Sequence, residues 1–72
     1  MNARGHPVGA KEKVRRGFQR AHPSDLSISE VAAKVGVSVN TASTYIKVLV
    51  AEGFLEQSRQ IGNAVLFRIR QP

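Results

Sequence analysis

Seventy-two residues, 42% of them apolar and none a cysteine, allow one small domain and exclude a disulfide framework, a thiolate metal site and a thiol redox pair. No run approaches the roughly 18 apolar residues of a membrane span, and the polar N-terminus lacks a signal peptide's apolar core, so a cytoplasmic, nucleoid-associated protein with no membrane partner is expected. The 11 Lys and Arg against 5 Asp and Glu, a net +6, point to a polyanion as partner.

The excess is concentrated at the start of the chain. Arg4, Lys11, Lys13, Arg15, Arg16 and Arg20 face only Glu12 within residues 1–22, and the remaining fifty residues are close to neutral. Residues 1–9 hold Gly5, Pro7 and Gly9 with no apolar periodicity. They read as a flexible basic arm ahead of a domain spanning 10–72, with Arg4 placed either to enter a minor groove or to stay idle. From Ala10 to His22 the apolar positions Ala10, Val14, Phe18 and Ala21 recur at helical spacing, and Glu12 precedes Arg16 by four residues. Gly17 inside this helix costs about 1 kcal/mol relative to alanine, so packing through Val14 and Phe18 must hold it, and Pro23 ends it.

Ser27-Ile28-Ser29-Glu30 has the form of a capping box and opens a second helix with the stripe Ile28, Val31, Ala32 and Val35, closed by Gly36 in the left-handed region. Val37 then plugs a corner, Ser38 is an N-cap, and Val39 to Glu52 forms a longer third helix that Gly53 stops. Beyond it the period changes to two. Phe54 to Arg59 and Val65 to Ile69 read as paired strands joined by Gln60–Ala64, whose Gly62-Asn63 pair tolerates the positive φ of a hairpin tip. Leu55, Val65, Phe67 and Ile69 must lie partly on the helices, because a lone hairpin is marginal, and Leu26 is placed to add a short third strand.

Chemistry has little footing in this sequence. His22, Ser24 and Asp25 are the residue types of a hydrolase triad but sit too close together in one loop for relay geometry. His6 and His22 are far apart, no cysteine supports them, and no glycine-rich phosphate loop is present. Neither enzymatic activity, nor a cofactor, nor a small-molecule ligand is expected.

Ala32, Gly36, Val37 and Ser38 between helices of unequal length satisfy a helix-turn-helix, in which a small residue permits close crossing and a glycine the tight turn. Together with Leu26–Ala32, Val35–Ser38, Ala42, Ile46, Leu49 and Glu52-Gly53-Phe54-Leu55, this order of elements resembles a winged helix-turn-helix domain of bacterial and archaeal transcription regulators. The resemblance implies a small α+β fold, a three-helix bundle followed by a two-stranded antiparallel hairpin. It also implies a mode of action, with helix 3 in the major groove and the hairpin, or wing, on the backbone or minor groove of double-stranded DNA.

Helix 3 itself can be read by its wheel. Ala42, Tyr45, Ile46, Leu49 and Val50 fall on a core side, and Asn40, Thr41, Ser43, Thr44 and Lys47 on the opposite arc. Short amide and hydroxyl side chains are poor helix formers, and a merely solvated face more often carries Glu, Lys and Arg. At the start of a helix they allow close approach to base edges, so Asn40, Thr41, Ser43 and Thr44 are the expected base-reading set. Val39 joins them as a thymine-methyl contact or serves as a hydrophobic staple. Phosphate is expected at Ser38, Lys47, Arg59, Gln60 and Asn63, with Arg15 and Arg16 of helix 1 in support. Arg68 and Arg70 share a strand face, where they flank the duplex or deter edge pairing, and Val48 on the outward arc is a candidate partner surface. One short helix makes few base contacts, so a second copy on an adjacent half-site, or a larger protein partner, is expected. The rival reading is a winged helix used for protein–protein interaction, or an accessory domain of a larger replication or recombination assembly.

Overall fold

The computed structural model describes residues 9–71, and Arg4 and the rest of the arm up to residue 8 lie outside them. The elements are α1 (Ala10–Ala21), β1 (Leu26–Ser27), α2 (Ile28–Val35), α3 (Val39–Ala51), β2 (Leu55–Ile61) and β3 (Ala64–Ile69). Three helices pack on one another and on an antiparallel sheet of order β1-β3-β2, which is a winged helix-turn-helix with its third strand present. Every element contributes to one core except β3, whose residues pack against it: Val14 and Phe18 from α1, Leu26, Val31 and Ala32 from α2 and its lead-in, Ala42, Ile46 and Leu49 from α3, and Leu55 from β2. Removing a side chain such as Phe18 from water contributes about 1.5–3 kcal/mol, which is how a helix containing a glycine persists.

The helix ends follow from local chemistry. α1 stops at Ala21, one residue short of the sequence expectation, because the residue before a proline is driven to extended backbone. His22 has ψ 133° and donates its N–H to the Phe18 carbonyl. Ser27 closes a reciprocal capping box: the Glu30 N–H donates to Ser27 Oγ at 3.1 Å, and Glu30 Oε1 accepts the Ser27 N–H at 2.8 Å. Gly36, at φ 75°, ends α2 as expected. α3 ends at Ala51 with Glu52 as its cap.

Gly17 has a role that helix propensity does not reveal. It is buried, and a Cβ there would stand 2.7 Å from Val35 Cγ1 and 3.0 Å from Val31 Cγ2. The missing side chain lets α1 and α2 cross closely, so the cost of glycine in the helix is offset by the contact it permits.

Two sequence expectations for apolar residues are corrected. Val50, assigned to the core side of α3, is 39% exposed, whereas Val48, assigned to the outward arc, is half-buried. α3 packs on α1, α2 and β2 at once, so its covered sector is displaced toward Tyr45 and Val48 relative to a wheel centred on Ala42. In the hairpin Val65 is half-buried, and Leu66, to which the sequence assigned no role, is buried.

The hairpin is longer and its tip tighter than the sequence implies. Gln60↔Val65 and Ile61↔Ala64 are paired, so the expected five-residue connection shrinks to Gly62-Asn63, and Arg59 and Gln60 belong to β2. Of the two turn residues only Gly62 takes positive φ, 59°, which is the pattern of a II′ turn with glycine first. Between Gln57↔Phe67 and Arg59↔Leu66 the register shifts, leaving Ser58 as the extra residue of a β-bulge.

Candidate nucleic-acid interface

The N-terminal half of α3 presents a ridge to solvent. Ser38, Val39, Asn40, Thr44 and Lys47 are exposed and Thr41 and Ser43 half-buried, while Ala42, Ile46 and Leu49 on the other side are sealed in the core. Ser38 caps the helix: its Oγ accepts the Thr41 N–H at 3.1 Å and donates to Thr41 Oγ1 at 2.9 Å. That hydroxyl, expected to donate to phosphate, is committed within the helix start. Thr44 Oγ1 donates to the Asn40 carbonyl at 3.0 Å, so its own proton is satisfied too. Asn40 and Lys47 make no side-chain hydrogen bond or ion pair of their own among the described residues, and Val39 stands 51% exposed. The structure therefore brings the expected base-reading residues together on one accessible face.

The hairpin is organised differently. Gln60 and Asn63 are exposed near its tip, with Gln60 Nε2 donating to the Gly62 carbonyl at 3.1 Å. Arg59, expected to hold phosphate, instead forks onto Asp25: Nε to Oδ2 at 2.9 Å and Nη2 to Oδ1 at 3.3 Å, while Ser58 Oγ donates to Oδ2 at 2.9 Å. Hydrogen bonds from Arg59, then from Ser58, hold the Asp25 carboxyl below its ordinary pKa. Arg68 is likewise paired, with Glu56 directly opposite it in the ladder, at 2.8 Å.

On α1 the pattern repeats. Arg15 and Arg16 share Glu12 at 3.0 and 3.3 Å, and Arg15 also stands 5.7 Å over the Phe54 ring. The Arg15 hydrogen bond holds Glu12 below the usual carboxylate range, and the same contact raises Arg15 further. Lys11 reaches Glu52 at 2.6 Å. Among the described residues the cations without an acidic partner are Lys13, Arg20, Lys34, Lys47 and Arg70. Of the expected phosphate set, only Lys47 is a cation of this kind.

Two residues of this surface escaped the sequence reading. Asp25 carries no local signal, because its partners lie 33 and 34 residues away. Ile61, 56% exposed, lies in the last pair before the turn, where the sequence places it in the loop. No group of three or more His, Cys, Asp or Glu among the described residues is placed to hold a metal ion, and no helix is long and apolar enough to cross a membrane.

Comparison with known proteins agrees with this geometry. A family model for the IclR helix-turn-helix domain matches residues 20–59, which contain α2, α3 and the first residues of the hairpin. Among solved structures, the ferric uptake regulator of Francisella tularensis, with iron, superposes with a TM-score of 0.76 at 16% identity, over 99% of this chain and 58% of that one. The likeness is one of fold, and the chain spans little more than half the length of that regulator. No curated relative matches the chain.

Proposed function

This chain belongs to the IclR helix-turn-helix domain family, the DNA-binding domains of transcription regulators, and from that premise we propose how it engages a duplex. α3 enters the major groove with Asn40, Thr41, Ser43 and Thr44 at base edges and Val39 against a thymine methyl. The observation that carries this is the ridge itself: short uncharged side chains, Asn40 and Thr44 exposed and Thr41 and Ser43 half-buried, on one side of a helix whose other side seals Ala42, Ile46 and Leu49 in the core. Lys47 and the first amides of α3, framed by the Ser38 cap, hold phosphate beside the groove. Gln60 and Asn63 meet the backbone from the hairpin tip. Arg15 and Arg16 share one carboxylate and so leave one positive charge in excess at their turn of α1 for a more distant phosphate.

One domain of this size offers few base contacts. A second copy on a half-site about one helical turn away supplies the rest, and the protein acts by occupancy in the cytoplasm of its cell, on the nucleoid. The test is selection of bound duplexes from a random pool, followed by titration of the selected duplex at several salt concentrations. With Lys47 and the one excess charge at Arg15 and Arg16 in each of two copies, about four phosphates are neutralised, the log–log slope is expected near about −3.5, and Lys47→Ala flattens it by about one per bound copy on every sequence. Absence of binding at low salt overturns the reading. Footprints spanning two half-sites confirm the paired arrangement, and a single half-site footprint refutes it.

A further inference from the structure

The DNA-binding reading leaves unexplained why the cation nearest the wing tip is tied down so completely. We propose that Asp25 is a specificity-determining positioning residue that holds Arg59 off the phosphate backbone, so that the hairpin meets DNA through an uncharged tip and discrimination is left to α3. The inference rests on the reading of α3 and the hairpin as the DNA-facing elements.

Directly opposed residues of an antiparallel ladder share a face, so Ser27, Leu66 and Arg59 lie together on the side of the sheet away from the helices. Asp25, two residues before Ser27, reaches the same side. It belongs to the lead-in of β1, and Arg59 to β2, so the ion pair spans the central strand β3. The Ser58 bulge makes the geometry: without the extra residue Ser58 and Arg59 would not both reach one carboxylate. Asp25's side chain is only 14% exposed, against 61% for Arg59. Leu66 is 7% exposed although it lies outside the main core cluster, and it shares its face with both the Asp25–Arg59 and Glu56–Arg68 pairs.

For Arg59 to reach a phosphate, its two-point fork must break and a largely covered carboxylate must be left with Ser58 alone. The tip beyond it, Gln60-Ile61-Gly62-Asn63-Ala64, has no charge at all. Sequence-independent affinity comes from cations that displace counterions from phosphates; a complex whose register base contacts do not fix is free to settle wherever a cation meets a phosphate, so masking one at the wing weakens that mode more than the complex held in register by α3. Asp25 thereby raises the ratio of specific to non-specific binding.

The experiment compares salt titrations of the full chain and three variants, Arg59→Ala, Asp25→Asn and Asp25→Asn/Arg59→Ala, on the selected duplex and on a scrambled one, with circular dichroism to confirm folding. Expected is a slope for Arg59→Ala equal to wild type within about 0.3, a slope steeper by about one per bound copy for Asp25→Asn with the larger gain in affinity on the scrambled duplex, and return to the wild-type slope in the double variant. Arg59→Ala alone decides the matter if the Asp25 variants do not fold, because a slope flatter by about one per bound copy shows Arg59 already on a phosphate and overturns the proposal. An unchanged slope in folded Asp25→Asn, or a steepening that survives in the double variant, overturns it as well. Failure of wild type to bind either duplex refutes the underlying DNA reading, an outcome distinct from these.

Discussion

The two elements proposed to face DNA solve opposite problems. α3 keeps its outer side chains unencumbered: Asn40 and Lys47 have no side-chain partner among the described residues, and the groups that are engaged, Ser38 and Thr44, bond only within the same helix. The hairpin commits its charged groups, with Arg59 on Asp25 and Arg68 on Glu56, and exposes amides and one isoleucine. The difference follows from what supports each. α3 is anchored by a full apolar face and needs nothing from its exposed side, whereas a two-stranded projection has little core of its own and uses cross-strand pairs to keep its shape.

The sharpest way to break this contrast is to remove an anchor from each side. Ile46→Ala should cost about 2–5 kcal/mol in chemical denaturation, and Leu66→Ala should fall at the low end of that range, because Leu66 lies outside the main cluster. Equal losses would mean that the hairpin is as deeply anchored as the helix. At the next level, Asn40→Ala should weaken binding to a preferred duplex by about 1–3 kcal/mol and a scrambled duplex hardly at all, while Gln60→Ala weakens both by the same, smaller amount. An Asn40→Ala variant that matches wild type on the preferred duplex removes α3 as the reader.

The smallest effect is one of pH. Asp25 and Glu12 both titrate below their ordinary values in the folded chain, so the unfolded chain takes up protons first as pH falls. Their contribution is complete above about pH 4.5 and is lost as pH drops through the lowered folded values. Thermal melts from pH 7 to pH 2 should show this decline, and Asp25→Asn should make it shallower. A decline unchanged by that substitution would mean that the pair crossing β3 does not help hold the hairpin.

What could be read in the sequence is what depends on neighbours within a turn of helix. The Ser27–Glu30 box, the Gly36 stop, the Ser38 cap and the stripes of α1 and α2 each involve residues at most a few positions apart, and all are present in the structure. The polar ridge of α3 was legible for the same reason. The exchange of Val48 and Val50 was not, since the covered sector of a helix depends on where three other elements approach it. Nor was the bulge, because one extra residue in a strand leaves period-two alternation looking intact up to Ser58. The fate of Arg59 depends on a carboxylate 34 residues earlier, which no spacing rule connects to it.

The notch at position 17 has a consequence for redesign. Because Val35 and Val31 crowd the space where a side chain would be, even alanine there requires the Val35 side chain, or α2 with it, to give way. A shift of α2 would carry with it the corner at Gly36 and Val37, and with the corner α3. New operator preference can be grafted by exchanging exposed residues of α3 on an unchanged frame, whereas enlarging residue 17 would tilt that frame as a whole and retune contacts some distance away that it never touches.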